Sequence, residues 1–458
     1  MEENRVKLIW LSINGLHGCY NYNVNFNTDV TFIYGLNGCG KTTILNITEA
    51  IITGQLFKLF NYNFNNIKLI YARSKTIEKL QSIEIESSKQ SLSVFFEEKK
   101  EKIKRLSIGD DIRISEDNTR ELSHRYFERY EFLLKIKNTF NYVYLPLNRS
   151  IAPYYNEENY YYMQRYRLRV EREFGYDRSS NDPAMTQIES LISYHYSGVS
   201  SKISSINDEF RNNILKSFLD FNKNYDLSSV LMEIDLENNS INNLKKIGDN
   251  YVKLLDELDL LTFDERKEFN SSFSSFINTF IKYKNNEESS SVIELMLKSQ
   301  EFLKIKKVLK MAEEMEQRKA KEMKPIETFI KTMNEFISNS DDEKEINIDK
   351  RGNVYFTTQS NKEKISIHHL SSGEKQLVTF FANLIFNVKN NSSGIFVVDE
   401  PELSLHLSWQ KIFIDKVLEI NKDIQLIFAT HAPEIIGKRR NKMFKLEKSY
   451  VKVDDKNE

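Results

Sequence analysis

The chain has 458 residues, two to three domains' worth of material, and its 65 Lys plus Arg balance 66 Asp plus Glu, which excludes a blanket polycation but not a local basic groove. Hydrophobic residues at 40% and aromatics at 12% exclude wholesale disorder. The start Met-Glu-Glu-Asn lacks the marks of a signal peptide and no apolar run approaches ~18 residues. Two cysteines, Cys19 and Cys39, supply neither a metal site nor a disulfide framework, so a cytoplasmic chain without membrane contact is expected.

Residues 5–13 and 29–34 are rich in β-branched and aromatic residues and read as strands, with a glycine loop and then a helix over 41–52. Short runs between 67 and 96, such as 82–86 and 91–96, predict an antiparallel meander, followed by a helix over 117–137 and a strand at 142–145. From 150 to 343 the period changes. Leu244, Ile247, Tyr251, Leu254, Leu258 and Leu261 form a heptad-like seam, Ile203, Ile206, Phe210 and Ile214 a second stripe, and 292–339 is helix-forming. A hairpin is expected at 345–358, then helix 372–388, strand 394–398, helix 405–420 and strand 424–428. This divides the chain into an α/β N-terminal lobe at 1–149, a helical insertion at 150–343 and an α/β C-terminal lobe at 344–458.

Gly35-Leu-Asn-Gly-Cys-Gly-Lys-Thr42 fits G-x-x-x-x-G-K-[ST] between a predicted strand and a predicted helix, the setting a P-loop requires. Backbone N–H groups over Gly35, Asn37, Gly38, Cys39, Gly40, Lys41, Thr42 and Thr43 would cradle the phosphates of ATP at a helix N-terminus. Lys41 would reach the β- and γ-phosphates, and Thr42 would ligate Mg²⁺. Ile395-Phe-Val-Val-Asp399-Glu400-Pro401 is an apolar strand ending in two acids. Asp399 suits the Mg²⁺ shell, and Glu400 suits the base that polarises the attacking water. Leu370-Ser371-Ser372-Gly373-Glu374-Lys375-Gln376 offers a second anion cradle at a helix start. His431 follows another apolar strand, at the rim where α/β sheets bind ligands, and could reach a γ-phosphate.

These four motifs, in this order, resemble the ABC-class ATPase head shared by SMC, RecF and OLD proteins, over roughly 1–145 and 345–458. The resemblance implies an α/β head split in sequence by a helical-hairpin or short coiled-coil insertion. It makes 370–376 the signature motif, Ser404-Leu405-His406 the D-loop and His431 the switch histidine. It also implies two heads that sandwich two ATP molecules, with Ser371, Gly373 and Glu374 of one copy facing the nucleotide on the other's Lys41. The family's Q-loop glutamine is not found in Tyr144-Leu-Pro-Leu-Asn-Arg149, and Gln164 is a poor substitute. Hook-bearing repair ATPases need a C-x-x-C pair that this chain lacks, and SMC arms are far longer. OLD nucleases carry a Toprim domain after the switch histidine, for which no room is expected here.

What is left resembles the stand-alone OLD-like ATPases of bacterial antiphage systems, with the PARIS type nearest in size and layout and the Septu and retron-associated types close to it. That resemblance implies a self-assembling ATPase, a head-to-head dimer or larger ring, that holds an effector nuclease in trans, Toprim in preference to HNH. A phage-encoded trigger protein would release it. A RecF- or SMC-like DNA clamp is the alternative, which neutral charge disfavours because phosphate contacts should leave a basic stripe. Tyr160–Arg172 interleaves aromatics with arginines and suits bases, a protein partner or a solvated amphipathic face. Cys39 sits where a helix N-terminus would activate an exposed thiol, although a freely varying loop position explains it as well. His368, His369 and His406 lack partners for a metal site.

Overall fold

The computed structural model describes residues 6–73, 80–88, 90–106, 116–140, 142–145, 182–218, 241–257, 261–284, 291–338, 344–358, 364–387, 394–403 and 405–450. Residues 146–149, Gln164, the Tyr160–Arg172 stretch, Leu258 and Ser404 lie outside them. The chain forms two compact units, Met1–Tyr196 together with Pro325–Glu458, and Ser197–Lys324.

The first unit carries two large sheets. Lys7–Leu16 (β1), Tyr20–Asn25 (β2), Asn66–Ala72 (β4), Leu80–Ser88 (β5), Ser91–Phe96 (β6) and Lys99–Lys104 (β7) are largely one-sided strands. With Ser449–Tyr450 (β15) they pair antiparallel in the order β15-β2-β1-β4-β5-β6-β7. Val30–Tyr34 (β3), Ile395–Asp399 (β12) and Gln425–Ala429 (β13) are near-continuous apolar runs, buried on both faces as parallel strands require. Together with Tyr142–Leu145 (β8) and Met443–Lys445 (β14) they build a parallel sheet ordered β14-β3-β13-β12-β8. A small antiparallel sheet joins Lys344–Ile348 (β9), Val354–Thr358 (β10) and Ile365–Ser366 (β11).

Lys41–Ile52 (α1) lies in the core that both sheets share. Its Ile44, Leu45, Ile47 and Ile51 are buried in one cluster with Leu11, Ile67 and Ile83 of the antiparallel sheet and Val397 and Ile427 of the parallel one. The alternate residues of the parallel strands face the other way. Phe396 and Phe428 meet Phe380 of Ser372–Ala382 (α8) and Phe413 of Leu407–Ile420 (α9), with Phe380 and Phe413 ring centroids 4.7 Å apart. A buried glutamine ties the two sheets. Gln425 accepts from Leu8 N at 2.8 Å and donates to Leu8 O and Asn27 O, both at 2.8 Å. Its amide thus acts as one more strand residue beside β1.

The second unit is helical. It takes most of Pro183–Phe218 (α4), all of Ile241–Glu257 (α5) and Phe263–Lys284 (α6), and Ser291–Ile337 (α7) as far as Lys324. The expected seam is packed: Leu244 is buried with Phe276, Phe280 and Phe302, and Tyr251 meets Phe269 at 5.4 Å. Ile206 and Phe210 pack on Ala312 and Met315. Among the described residues no helix is long and apolar enough to cross a membrane.

The α/β class and the helical insertion are as expected from sequence, with local corrections. The single helix expected over 117–137 is two, Glu116–Arg129 (α2) and Glu131–Thr139 (α3), parted at Tyr130, whose backbone leaves the helical region at φ −131°, ψ 86°. The helix expected over 372–388 ends at Ala382 and widens into a π turn at Asn383–Asn387, where the Asn383 side chain donates to Thr379 O at 2.7 Å. Strands β2, β7, β11, β14 and β15 were not anticipated, because β2 and β7 are polar and the others are two or three residues long.

Candidate nucleotide-binding site

The central strands of the parallel sheet end together. Ala429 of β13 pairs with Ile33 of β3 on one side and with Asp399 of β12 on the other. The P-loop, the two acids and the histidine loop therefore leave the sheet side by side at its carboxyl edge, where open α/β sheets bind ligands.

The P-loop turns through Gly38 and Gly40 at φ +76° and +102°, a region that costs other residues energy. At Gly40 a Cβ would also stand 2.9 Å from the Tyr22 hydroxyl, which donates to Cys39 O at 3.0 Å and so braces the loop from β2. Burial pushes the Tyr22 phenol up to about 12, so it keeps that proton. Lys41 is buried, and its ammonium donates to Gly35 O at 3.2 Å. Gly40 caps α1 without a side-chain acceptor, leaving the helix's positive end to whatever anion the loop holds. Asn37, Gly38 and Thr42 are exposed, Gly35 and Thr43 partly so. The Cys39 thiol is buried beneath Gly35, so only its backbone could serve the loop.

Asp399 is 3% exposed, and among the described residues no hydrogen bond of ordinary geometry reaches either carboxylate oxygen. Burial raises its pKa, the neighbouring Thr42 hydroxyl opposes this, Glu400 adds to it and Lys41 opposes it. A buried carboxylate left this way is costly unless a cation meets it. The donor set of Asp399 and Thr42, hard oxygens beside a phosphate cradle, fits Mg²⁺.

Glu400 adopts φ +46°, costing about 1–3 kcal/mol for a non-glycine residue. Pro401 behind it disfavours the right-handed helical region, and Glu400 N continues the ladder by donating to Ala429 O at 2.8 Å. The chain then doubles back. Glu402 accepts from the Thr430 hydroxyl at 2.8 Å and from His431 N at 2.6 Å, two contacts that no local spacing announces. His431 itself is exposed, ahead of the short Pro433–Ile436 helix (α10).

The signature segment forms a capping box at the start of α8. Ser371 Oγ accepts from Glu374 N at 3.4 Å, and Ser371 N donates to Glu374 Oε2 at 2.7 Å. Glu374 is buried and pairs with Lys344 at 3.1 Å, so its carboxylate is used inside the chain, whereas Ser371 is exposed. An ion pair of Lys375 with Asp182 at 3.3 Å and a contact of His368 with Glu189 at 3.5 Å join this segment to the start of α4. In the D-loop, Leu405 O accepts from Gln410 Nε2 at 2.9 Å, and His406 caps α9.

A model of the family described as "AAA domain, putative AbiEii toxin, Type IV TA system" matches residues 256–437, which include the signature, both acids and His431 but not the P-loop. "Retron Vc95 probable ATPase" of Vibrio cholerae serotype O1 biovar El Tor is 28% identical over 232 residues, 48% of this chain and 38% of that protein. "Retron Ec83 probable ATPase" of Escherichia coli is 30% identical over 95 residues, 19% of this chain and 18% of that protein. The aligned part thus spans well under half of either relative's length. The Smc head of Pyrococcus furiosus with an extended coiled coil, bound to the C-terminal domain of ScpA, overlaps at a TM-score of 0.42 and 12% identity, over 97% of this chain and 96% of that one. The Smc head of Pyrococcus yayanosii reaches 0.41 and 10%, over 97% of each chain. Overlap at that level is too low to assign a fold. The chain is thus similar to an AAA-domain family and to two probable ATPases, in keeping with its P-loop motif.

Proposed function

We propose that this protein binds and hydrolyses ATP with Mg²⁺ and uses the nucleotide to switch between assembly states within a bacterial antiphage system. The carrying observation is the meeting of Lys41 and Thr42, Asp399 and Glu400, and Thr430 and His431 at the ends of three adjacent parallel strands. The P-loop amides, the α1 N-terminus and Lys41 hold the phosphates. Asp399 and Thr42 hold the metal, which when bound neutralises charge on the β- and γ-oxygens. The Glu400 carboxylate, engaged by no hydrogen bond among the described residues, orients and deprotonates the attacking water, and His431 faces the γ-phosphate.

Assembly follows from the second cradle. Ser371 and Gly373 at the start of α8 meet the nucleotide held by another copy, while Glu374 supports them from within. Leu36, Leu403 and Leu407, respectively 85%, 62% and 48% exposed, are apolar side chains on site elements that such a copy would cover. The names of the relatives support a place in defence, and the measured similarity is to retron-associated ATPases. An effector nuclease held in trans, a phage-encoded trigger and a cytoplasmic setting complete this reading.

The test is light scattering of the purified chain and of Glu400→Gln, with and without Mg·ATP, beside a phosphate-release assay. The wild type should release phosphate, and the variant should bind ATP without turnover and hold a larger mass. One mass under all conditions, or undiminished turnover in the variant, would sink the proposal.

A further inference from the structure

The chain between Asp399 and His406 holds two glutamates with opposite surroundings. Glu400 has no hydrogen-bonded partner for its carboxylate among the described residues. The Glu402 carboxylate is engaged at both oxygens, one by the Thr430 hydroxyl at 2.8 Å and the other by His431 N at 2.6 Å. Thr430 is fully buried, and its oxygen accepts from Ala432 N at 3.0 Å while donating to Glu402, so a single hydroxyl fixes both sides of the histidine. One rung above, Glu400 N donates to Ala429 O at 2.8 Å. These contacts bind residues 400–402 to residues 429–432, among which His431 is the exposed one.

We propose that Glu402 is a positioning residue for ATP hydrolysis, clamping the Thr430–His431 loop onto the acid-bearing loop so that the histidine and Glu400 address one phosphate. The inference rests on the ATPase reading above and adds to it a residue with no contact to nucleotide. The left-handed turn at Glu400 is what makes the clamp possible, because it sends the chain back across β13 instead of away from it. Glu402 is not placed as a second base: each of its carboxylate oxygens already accepts from the Thr430–His431 segment. Its two accepted bonds, together with the Thr430 hydroxyl's bond to Ala432 N, set the geometry of the loop.

Two measurements test this, one of which needs no turnover. Hydrogen exchange followed by mass spectrometry over residues 429–436 should show the clamped segment protected in the wild type and exchanging about tenfold faster in Glu402→Ala, since its acceptor is gone. With Mg·ATP, Glu402→Ala should lower kcat roughly 10- to 100-fold with the KM for ATP within about twofold, the mark of misplaced groups and intact binding. Thr430→Val, which keeps volume and removes one of the two donors, serves where Glu402→Ala folds poorly, with smaller effects in the same direction. Combined with Glu402→Gln it should show less than the summed loss. Unchanged exchange in Glu402→Ala removes the clamp, and lost protection with kcat held within twofold removes its role in catalysis. A wild-type chain with no phosphate release overturns the ATPase reading itself, a failure visible before any variant is made.

Discussion

Cys39 occupies the middle of the P-loop, yet its thiol is turned inward beneath Gly35, while Cys19 is only partly covered. Reactivity follows access, so Ellman's reagent should modify Cys19 at least about tenfold faster than Cys39 in the folded chain. Equal rates, followed by mass spectrometry of each peptide, would mean that the loop opens freely and would revive Cys39 as a redox switch. Tyr22 makes a second residue-scale case. Tyr22→Phe leaves the Cys39 carbonyl without its 3.0 Å donor, at a cost of about 1 kcal/mol in loop order. Calorimetry should read this as ATP binding weakened about fivefold, and an unchanged Kd would show that the brace adds nothing.

At the scale of elements, Gln425 of β13 hydrogen-bonds the backbone of β1 and so joins the two large sheets. Gln425→Leu keeps the bulk but orphans Leu8 N, Leu8 O and one bond at Asn27 O, which should cost about 3 kcal/mol in urea unfolding. A loss below about 1 kcal/mol would mean that water replaces the amide. The elements themselves were largely legible in the sequence. Helix α1 and strands β3, β12 and β13 declare themselves through apolar runs that end in motifs, and the heptad seam marks α5. Tyr130 gave no breaker signal, and the polar Tyr-Asn-Tyr-Asn-Val-Asn of β2 reads as loop until β1 and β15 lie beside it. The site divides the same way. Lys41, Thr42, Asp399 and Glu400 belong to spacings that a linear scan detects. Glu402 was missed because its partners lie 28 and 29 residues on, in contacts only the parallel register of β12 and β13 creates. Glu374 was read as facing a neighbour's nucleotide, when the hydroxyl three residues before it already marked a capping box.

Across the whole molecule, each residue proposed above to face the nucleotide lies in the first unit, while the second has cores of its own. Phe276→Ala in one of those cores should cost about 3–5 kcal/mol of that unit's stability and leave ATP affinity within about twofold. A collapse of ATP binding in that variant would refute the separation. The Gln425 amide has another consequence, for the order of events during synthesis. It closes on Leu8 across 417 residues, and β13, which carries it, is the strand that lies between the P-loop strand and the acid-bearing strand. A ribosome adding ~5–20 residues per second leaves β3 exposed for roughly 20–80 s before that neighbour exists. The helical unit is synthesised before then, so the proposed nucleotide pocket forms after it, and a nascent chain interrupted short of Ala429 has none.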